Sequence, residues 1–258
     1  MESSLNDILN EKLSTLPPIG LKDMKAVKLM NRTDQKYVTN VSGMLNLLSL
    51  VGNDYYVQEI DGVRISNYRT LYWDDAATHG FFRTHICGKL PRVKVRARTY
   101  VDSDLSFLEI KFKNNHGKTK KKRTQVASID SVLHQLEGEG FLTEKTGLTF
   151  GDIRPTVGNR FSRITLVNKS LTERLTIDFG IKFDNQETGV DAEADGVVVI
   201  ELKRDGLVFS PVLSKLRRLR IMPSGFSKYC IGTAMTNSSL PLGLLKERLQ
   251  YVRRLTTE

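Results

Sequence analysis

Nine residues, Arg92-Val93-Lys94-Val95-Arg96-Ala97-Arg98-Thr99-Tyr100, restrict the fold of this chain more than any others. Their strict alternation is the period of an extended strand, in which successive side chains point to opposite faces. Arg92, Lys94, Arg96 and Arg98 therefore share one face, and Val93, Val95 and Ala97 the other. Like charges spaced about 7 Å apart along a strand repel one another and weaken it, so something anionic has to offset them. Four further segments follow the same pattern. Glu109, Lys111 and Lys113 oppose Leu108, Ile110 and Phe112; Arg174, Thr176 and Asp178 alternate with Leu175, Ile177 and Phe179; Glu201 and Lys203 alternate with Ile200 and Leu202; Lys121 and Arg123 share a face. Any one of these reads as the solvated side of a half-buried antiparallel sheet. As a set they fit a sheet that closes with its charged faces inward and its apolar faces outward beneath helices, a barrel with a cationic interior suited to a phosphate chain and its metal ion.

Eight strands are expected, near 54–61, 64–73, 91–101, 106–114, 119–128, 158–169, 173–183 and 196–204, each bounded by Gly, Asp, Asn or Pro. Leu5, Ile8, Leu9 and Leu13 recur at helical spacing and predict a short amphipathic helix over 4–16, ended by Pro17-Pro18-Ile19-Gly20. A second helix, about 42–51, follows the polar segment Arg32-Thr33-Asp34-Gln35-Lys36-Tyr37. Others are expected near 75–88, 129–138, 210–220, 226–236 and 243–254, and the acidic stretch from Gly189 to Gly196 reads as a loop. Strands with helices inserted or appended make an α+β fold with an antiparallel sheet, not a βαβ repeat. With no repeat and no linker the chain reads as one domain over 1–258, its core at about 32–232 and its terminal helices, 4–16 and 243–254, packed outside.

The chain has 39 Lys and Arg against 29 Asp and Glu, a formal charge of +10, which implies a polyanionic partner: nucleic acid, a membrane surface or a phosphate-rich small molecule. At 40% hydrophobic and 26% charged it has the composition of an ordinary globular protein. No run approaches the roughly 18 to 20 apolar residues of a membrane span, and Met1 to Asn10 lacks the pattern of a cleavable signal. Cys87 and Cys230 stand far apart with no CxxC spacing, so the expected setting is a reducing cytoplasm. No P-loop, GxGxxG turn, GxSxG elbow or HExxH helix is present. His79, His85, His116 and His134 are scattered and receive no role. Glu109, Asp178 and Glu201 share faces with cations, and spacing alone leaves ion pairing and the binding of a hard cation equally open.

Nine motifs occur in a fixed order: Arg32-x-Asp34-x-Lys36-Tyr37, Leu71-Tyr72-Trp73-Asp74, Lys94-x-Arg96-x-Arg98-x-Tyr100, Phe107-Leu108-Glu109-x-Lys111, Lys121-x-Arg123, Arg163, Arg174-x-Thr176-x-Asp178, Glu201-x-Lys203 and Ser227-Lys228-Tyr229. Together they resemble the VTC (vacuolar transporter chaperone) domain, the polyphosphate polymerase branch of the triphosphate tunnel metalloenzyme superfamily, from about Arg32 to Gly232. The resemblance implies an eight-stranded antiparallel β-barrel tunnel with a basic interior, flanked by helices. It implies transfer of the γ-phosphoryl group of ATP to a growing inorganic polyphosphate chain, with release of ADP. Arg96, Arg98, Lys111, Arg163 and Lys228 would act on the transferred group, and Lys36, Lys94, Lys121, Arg123, Arg174, Lys203 and Ser227 would bind the phosphates. Glu201 would hold Mn²⁺ or Mg²⁺, with Glu109 as a second contact.

The same superfamily contains hydrolases of tripolyphosphate and nucleoside triphosphates, in which Glu109 or Asp178 would serve an attacking water, and a non-catalytic polyphosphate-binding module is the third reading. Few aromatics interleave the cations, so nucleic acid is not an expected partner. Trp73, Phe161 and Val101 stand where the family commonly has Phe, Tyr and Gly, changes expected to fall outside the charge set. The helical sensor and membrane spans of eukaryotic relatives are not seen in this sequence, so transport of the polymer would need a separate membrane protein. Lys118 to Arg123, Lys246, Arg248, Arg253 and Arg254 could attach the protein to the inner face of the cell membrane.

Overall fold

The computed structural model describes residues 4–24, 27 and 32–257; the side chain of Arg32, first in the motif series, lies outside the described part. Eight strands follow one another across a curled antiparallel sheet. In order they are Arg32–Thr39, Val198–Asp205, Glu173–Asn185, Ile153–Asn168, Ile65–Asp75, Arg92–Tyr100, Leu105–Lys113 and Thr119–Val126. Among the described residues no ladder joins the first of these to the last, so the sheet is a half-barrel and not a closed ring. Three short strands lie off this path. Pro18–Ile19 pairs with Tyr55–Gln58, which pairs with Ile153–Asn168, and Asp191–Ala194 pairs with Glu173–Asn185.

The expected α+β class and the number of strands on the path agree with the sequence reading, but the membership differs at one place. The segment expected as a strand over 54–61 is the side strand Tyr55–Gln58, and the edge of the half-barrel is Arg32–Thr39. Thr33, Gln35 and Tyr37 alternate there with Asp34, Lys36 and Val38, so neither face carries the apolar run by which a strand is recognised. Ile153–Asn168 begins five residues earlier than expected, passing through Pro155 and Gly158. A Cβ at Gly158 would stand 2.3–2.7 Å from the Asp184 carboxylate, which would have to turn aside. The helix expected over 129–138 is shorter, Ile129–Leu133, and ends before left-handed backbone at Gln135 and Gly138; a further helix, Glu139–Thr146, was not expected. The stretch read as a loop, 189–196, contains the strand Asp191–Ala194.

Alternation sorts the side chains as anticipated. On the convex side Ile164, Leu166, Leu175, Ile177, Ile200 and Leu202 pack beneath the helices Leu5–Ser14, Val41–Val51 and Pro211–Arg218. Further along the sheet Val95, Ala97, Leu108 and Ile110 pack against Ile129, Val132 and Leu142 of the next two helices. The concave side also has an apolar part: Val38, Tyr68, Tyr72, Phe161 and Val199 meet Phe226, Tyr229 and Cys230, at and just before the helix Lys228–Thr236. Gly232 lets that helix close on the sheet, since a Cβ there would come within 2.4 Å of the Phe183 ring.

Candidate active site

Side chains of directly opposed residues in an antiparallel sheet project to the same side, so the register states which charges meet. Lys36 stands opposite Glu201, and Lys203 lies between Asp34 and Arg174. Arg163 is opposite Asp178. Thr70 faces Arg98 and Tyr72 faces Arg96. Across the next two ladders Lys94 is opposite Lys111, Arg96 opposite Glu109, Glu109 opposite Arg123 and Lys111 opposite Lys121. These residues form one concave face, to which Ser227 and Lys228 are added from the helix packed there. Ser227 is the N-cap of that helix, its Oγ accepting from the Cys230 N–H at 3.3 Å.

Three carboxylates organise the cations. Glu109 has no exposed surface; its Oε2 accepts from Arg96 Nε at 2.7 Å and Nη2 at 2.5 Å, and its Oε1 is held by Lys121. Burial works to raise its pKa, but Arg96, Arg98 and Lys121 overcome that and hold it at about 2. Asp178 receives the fork of Arg163, at 2.5 and 2.7 Å, and the ammonium of Lys228. Its pKa is likewise held well below the usual range, against burial, by Arg163 and Lys228. Glu201 pairs with Lys203; burial opposes ionisation, yet Lys203, Lys36 and Arg163 bring its pKa to about 2. Its side chain keeps 21% exposure, against 5% for Asp178 and 0% for Glu109.

The remaining cations lean on rings and hydroxyls. Lys94 Nζ lies 3.5 Å from Ser227 Oγ and over the rings of Tyr72 and Tyr229, at 5.8 and 5.2 Å. Arg98 donates to Thr70 Oγ1 at 3.0 Å and lies over Tyr68 and Phe161. Lys36 donates to the Phe226 carbonyl at 2.8 Å. Arg123, exposed, stacks 4.4 Å from the Phe107 ring. Lys111 is pushed down to about 6, first by Arg96, then by burial and by Lys94, Lys121 and Arg98. Burial brings Lys228 down to about 8, with Asp178 opposing the shift. A lysine held this far below its ordinary value by neighbouring cations marks a place where negative charge would be strongly favoured.

Phe161 sits inside the charge set and not outside it as expected: its ring stacks on Tyr68 with centroids 5.1 Å apart, and Lys228 Nζ lies 4.0 Å from it. Two residues of the Leu71-Tyr72-Trp73-Asp74 motif also have roles that alternation did not disclose. Tyr72, buried, would be raised by burial but is brought down to about 7 by Arg96, Lys94 and Arg98. Asp74 accepts from the N–H groups of Phe81 and Phe82, at 2.8 and 3.1 Å, and from Tyr229 Oη at 2.7 Å, which ties the helix Gly80–Ile86 to the one that carries Lys228. Their presence in an ordered motif was the available clue.

Among the described residues no group of three or more His, Cys, Asp or Glu side chains forms a self-sufficient metal cage. The donor set instead fits a hard cation held by one carboxylate and completed by phosphate oxygens and water, as is common for Mg²⁺. Glu201 has the exposure that role requires; both oxygens of Glu109 are occupied by cations.

A curled antiparallel sheet whose concave face gathers this many cations defines a polyanion-binding class of surface. The VTC domain family matches residues 31–237, and the chain belongs to that family. Its fold is shared with a candidate adenylate cyclase from Bacillus halodurans, at 12% identity and a TM-score of 0.50, over 77% of this chain and 96% of that one. A candidate adenylyl cyclase from Hippeastrum, described as having a dominant triphosphatase activity, aligns at 16% identity and a TM-score of 0.49, over 83% and 99% of the two chains. No curated protein matches the sequence.

Proposed function

We propose that this protein is a metal-dependent polyphosphate polymerase, which transfers the γ-phosphoryl group of ATP to the end of an inorganic polyphosphate chain and releases ADP. The reading rests on one observation above all: Arg96, Arg98, Lys111, Arg163 and Lys228 converge on a single concave face bordered by further cations. A terminal phosphate oxygen of the chain forms the new bond to the γ-phosphorus while the bond to the β–γ bridging oxygen breaks. Such transfer has a loose transition state that is served by positioning and by charge stabilisation, not by acid–base groups. The acceptor phosphate is already ionised and needs no base. Water would need one, and the two carboxylates closest in type to that task, Glu109 and Asp178, have both oxygens engaged by cations, which favours transfer over hydrolysis. In this reading Arg163 and Lys228, fixed by Asp178, would hold phosphate oxygens, and Lys36, Lys94, Lys121, Arg123, Arg174, Lys203 and Ser227 would extend the binding surface. Mn²⁺ or Mg²⁺, held by Glu201, would supply Lewis-acid charge to the phosphoryl groups.

In this reading the protein acts on ATP and polyphosphate in the cytoplasm, without nucleic acid, and any export of the polymer is done by a separate membrane protein. Among the described residues no helix is long and apolar enough to cross a membrane. The test is to incubate purified protein with ATP and Mn²⁺, with and without a short primer, and to quantify polyphosphate, ADP and free phosphate together. Polyphosphate formed in step with ADP is the expected result. Stoichiometric free phosphate without polymer would replace the polymerase with a triphosphatase, and binding without turnover would replace it with a polyphosphate-binding module.

A further inference from the structure

The Val198–Asp205 strand brings Glu201 and Lys203 onto the concave face and then leaves the sheet through Gly206, which has a left-handed φ of 54°. Three apolar residues follow, Leu207, Val208 and Phe209, before buried Ser210 begins the approach to the helix Pro211–Arg218. Leu207 is 85% exposed and Phe209 81%. Single exposed apolar side chains are ordinary, but a run of three at the tip of a turn marks a contact surface. The turn is held in place, since Arg204 Nη1 donates to the Val208 carbonyl at 2.9 Å.

The charge beside this run is mainly positive, although Asp205 directly precedes Gly206 and Asp54 pairs with Lys215 of the following helix. Arg204 and Arg217 line an open groove of about 340 Å³ together with Leu213 and exposed Met222. Arg217, Arg218 and Arg220 are all exposed, and from Gly206 to Pro223 the chain has no Asp or Glu. Exposed apolar tips beside Arg204, with Arg217 on the same groove, match a bilayer interface, where the tips enter the acyl boundary and the guanidinium groups meet lipid phosphates. A second copy of the chain would bring like-charged arginines together, which disfavours self-association through this patch.

We propose that residues 206–209, with the arginines beside them, dock this domain on an anionic lipid surface. Lys203 and Gly206 are three residues apart, about 10 Å of extended chain, so docking sets that end of the basic face close to the bilayer. This surface is distinct from the Lys118 to Arg123 and C-terminal cations considered from sequence.

The experiment is co-sedimentation with phosphatidylcholine vesicles that contain phosphatidylglycerol, and with pure phosphatidylcholine vesicles. The protein should pellet with the first and not the second, and added salt should release it. Leu207→Glu with Phe209→Glu should weaken binding about tenfold or more. Arg217→Gln should weaken it about fivefold. Both variants alter exposed side chains, and both should keep the wild-type melting temperature and tripolyphosphate affinity. Binding that is absent, equal on neutral vesicles, or unchanged in the Leu207/Phe209 variant would overturn the proposal. So would a wild-type dimer in light scattering that this variant dissolves, because the patch would then be an interface between copies.

Discussion

Asp178→Asn isolates what the carboxylates do on the concave face. In the wild type both oxygens of this buried side chain are taken, by the Arg163 fork and by Lys228. The amide keeps the shape but removes the charge, leaving two buried cations without their counter-ion. Removing one partner of a buried ion pair costs about 3–5 kcal/mol. For a chain of this size each kcal/mol is worth about 2–4 °C, so the melting temperature should fall by roughly 6–20 °C. Tripolyphosphate should repair the loss, because its oxygens can satisfy the donors that Asp178 leaves. If the variant binds it tenfold more tightly, saturating ligand adds about 1.4 kcal/mol beyond the wild-type gain, or about 3–6 °C.

Thermal unfolding of both proteins, with and without tripolyphosphate, measures each quantity. The pH dependence adds a check of sign. The folded Asp178 pKa lies below its unfolded value, so its stabilisation is full above the unfolded value, about 3.9, and is lost as pH falls toward the folded one. The gap between the two proteins should therefore begin to narrow below about pH 4 and keep closing as pH falls toward the folded value. A variant that melts within about 2 °C of the wild type, or that gains no more than the wild type from tripolyphosphate, would refute the reasoning.

Glu201→Gln should lower Mn²⁺-dependent polyphosphate synthesis by about two orders of magnitude while metal-free tripolyphosphate binding, read by calorimetry, stays within about threefold. Because Lys111 is held at about 6, tripolyphosphate binding at pH 8 should take up protons as the lysine recharges. Calorimetry in buffers of different ionisation enthalpy measures that uptake, and Lys111→Arg, already charged, should reduce it by about one proton; an unchanged uptake would remove Lys111 as the titrating group. Gly232→Ala should cost about 1–3 kcal/mol in denaturant unfolding, since its Cβ would come within 2.4 Å of the Phe183 ring. It should also weaken tripolyphosphate binding, because the same helix carries Lys228.

The site was legible wherever a strand carried charge on one face and apolar residues on the other. Arg92–Tyr100 and Leu105–Lys113 were read correctly because alternation is enforced there by the core beneath Val95, Ala97, Leu108 and Ile110. The edge strand Arg32–Thr39 escaped because it has only one neighbour on the sheet path and its outward residues, Thr33 and Gln35, are polar. The helix Lys228–Thr236 was anticipated as a helix, but its position on the concave side depends on long-range packing with Val157, Phe161 and Phe183. That packing is also why Phe161 belongs to the site, since it supports the ammonium of Lys228.

Pairing by register also explains how so basic a face folds before any phosphate arrives. Each of the three carboxylates stands within one ladder step, or two residues along a strand, of a cation it neutralises: Glu109 by Arg96, Asp178 by Arg163 and Glu201 by Lys203. Lys94, Arg98 and Lys111 are left to be supported by rings, by hydroxyls and, for Lys111, by easy loss of its proton. A polyanion entering the half-barrel thus has two kinds of donor to engage. Lys94, Arg98 and Lys111 require no carboxylate to be displaced, whereas Arg96 and Arg163 must share their forks between protein and phosphate. Affinity should come mainly from the first group and geometric precision from the second, because an arginine already fixed by a carboxylate loses little freedom when phosphate is added.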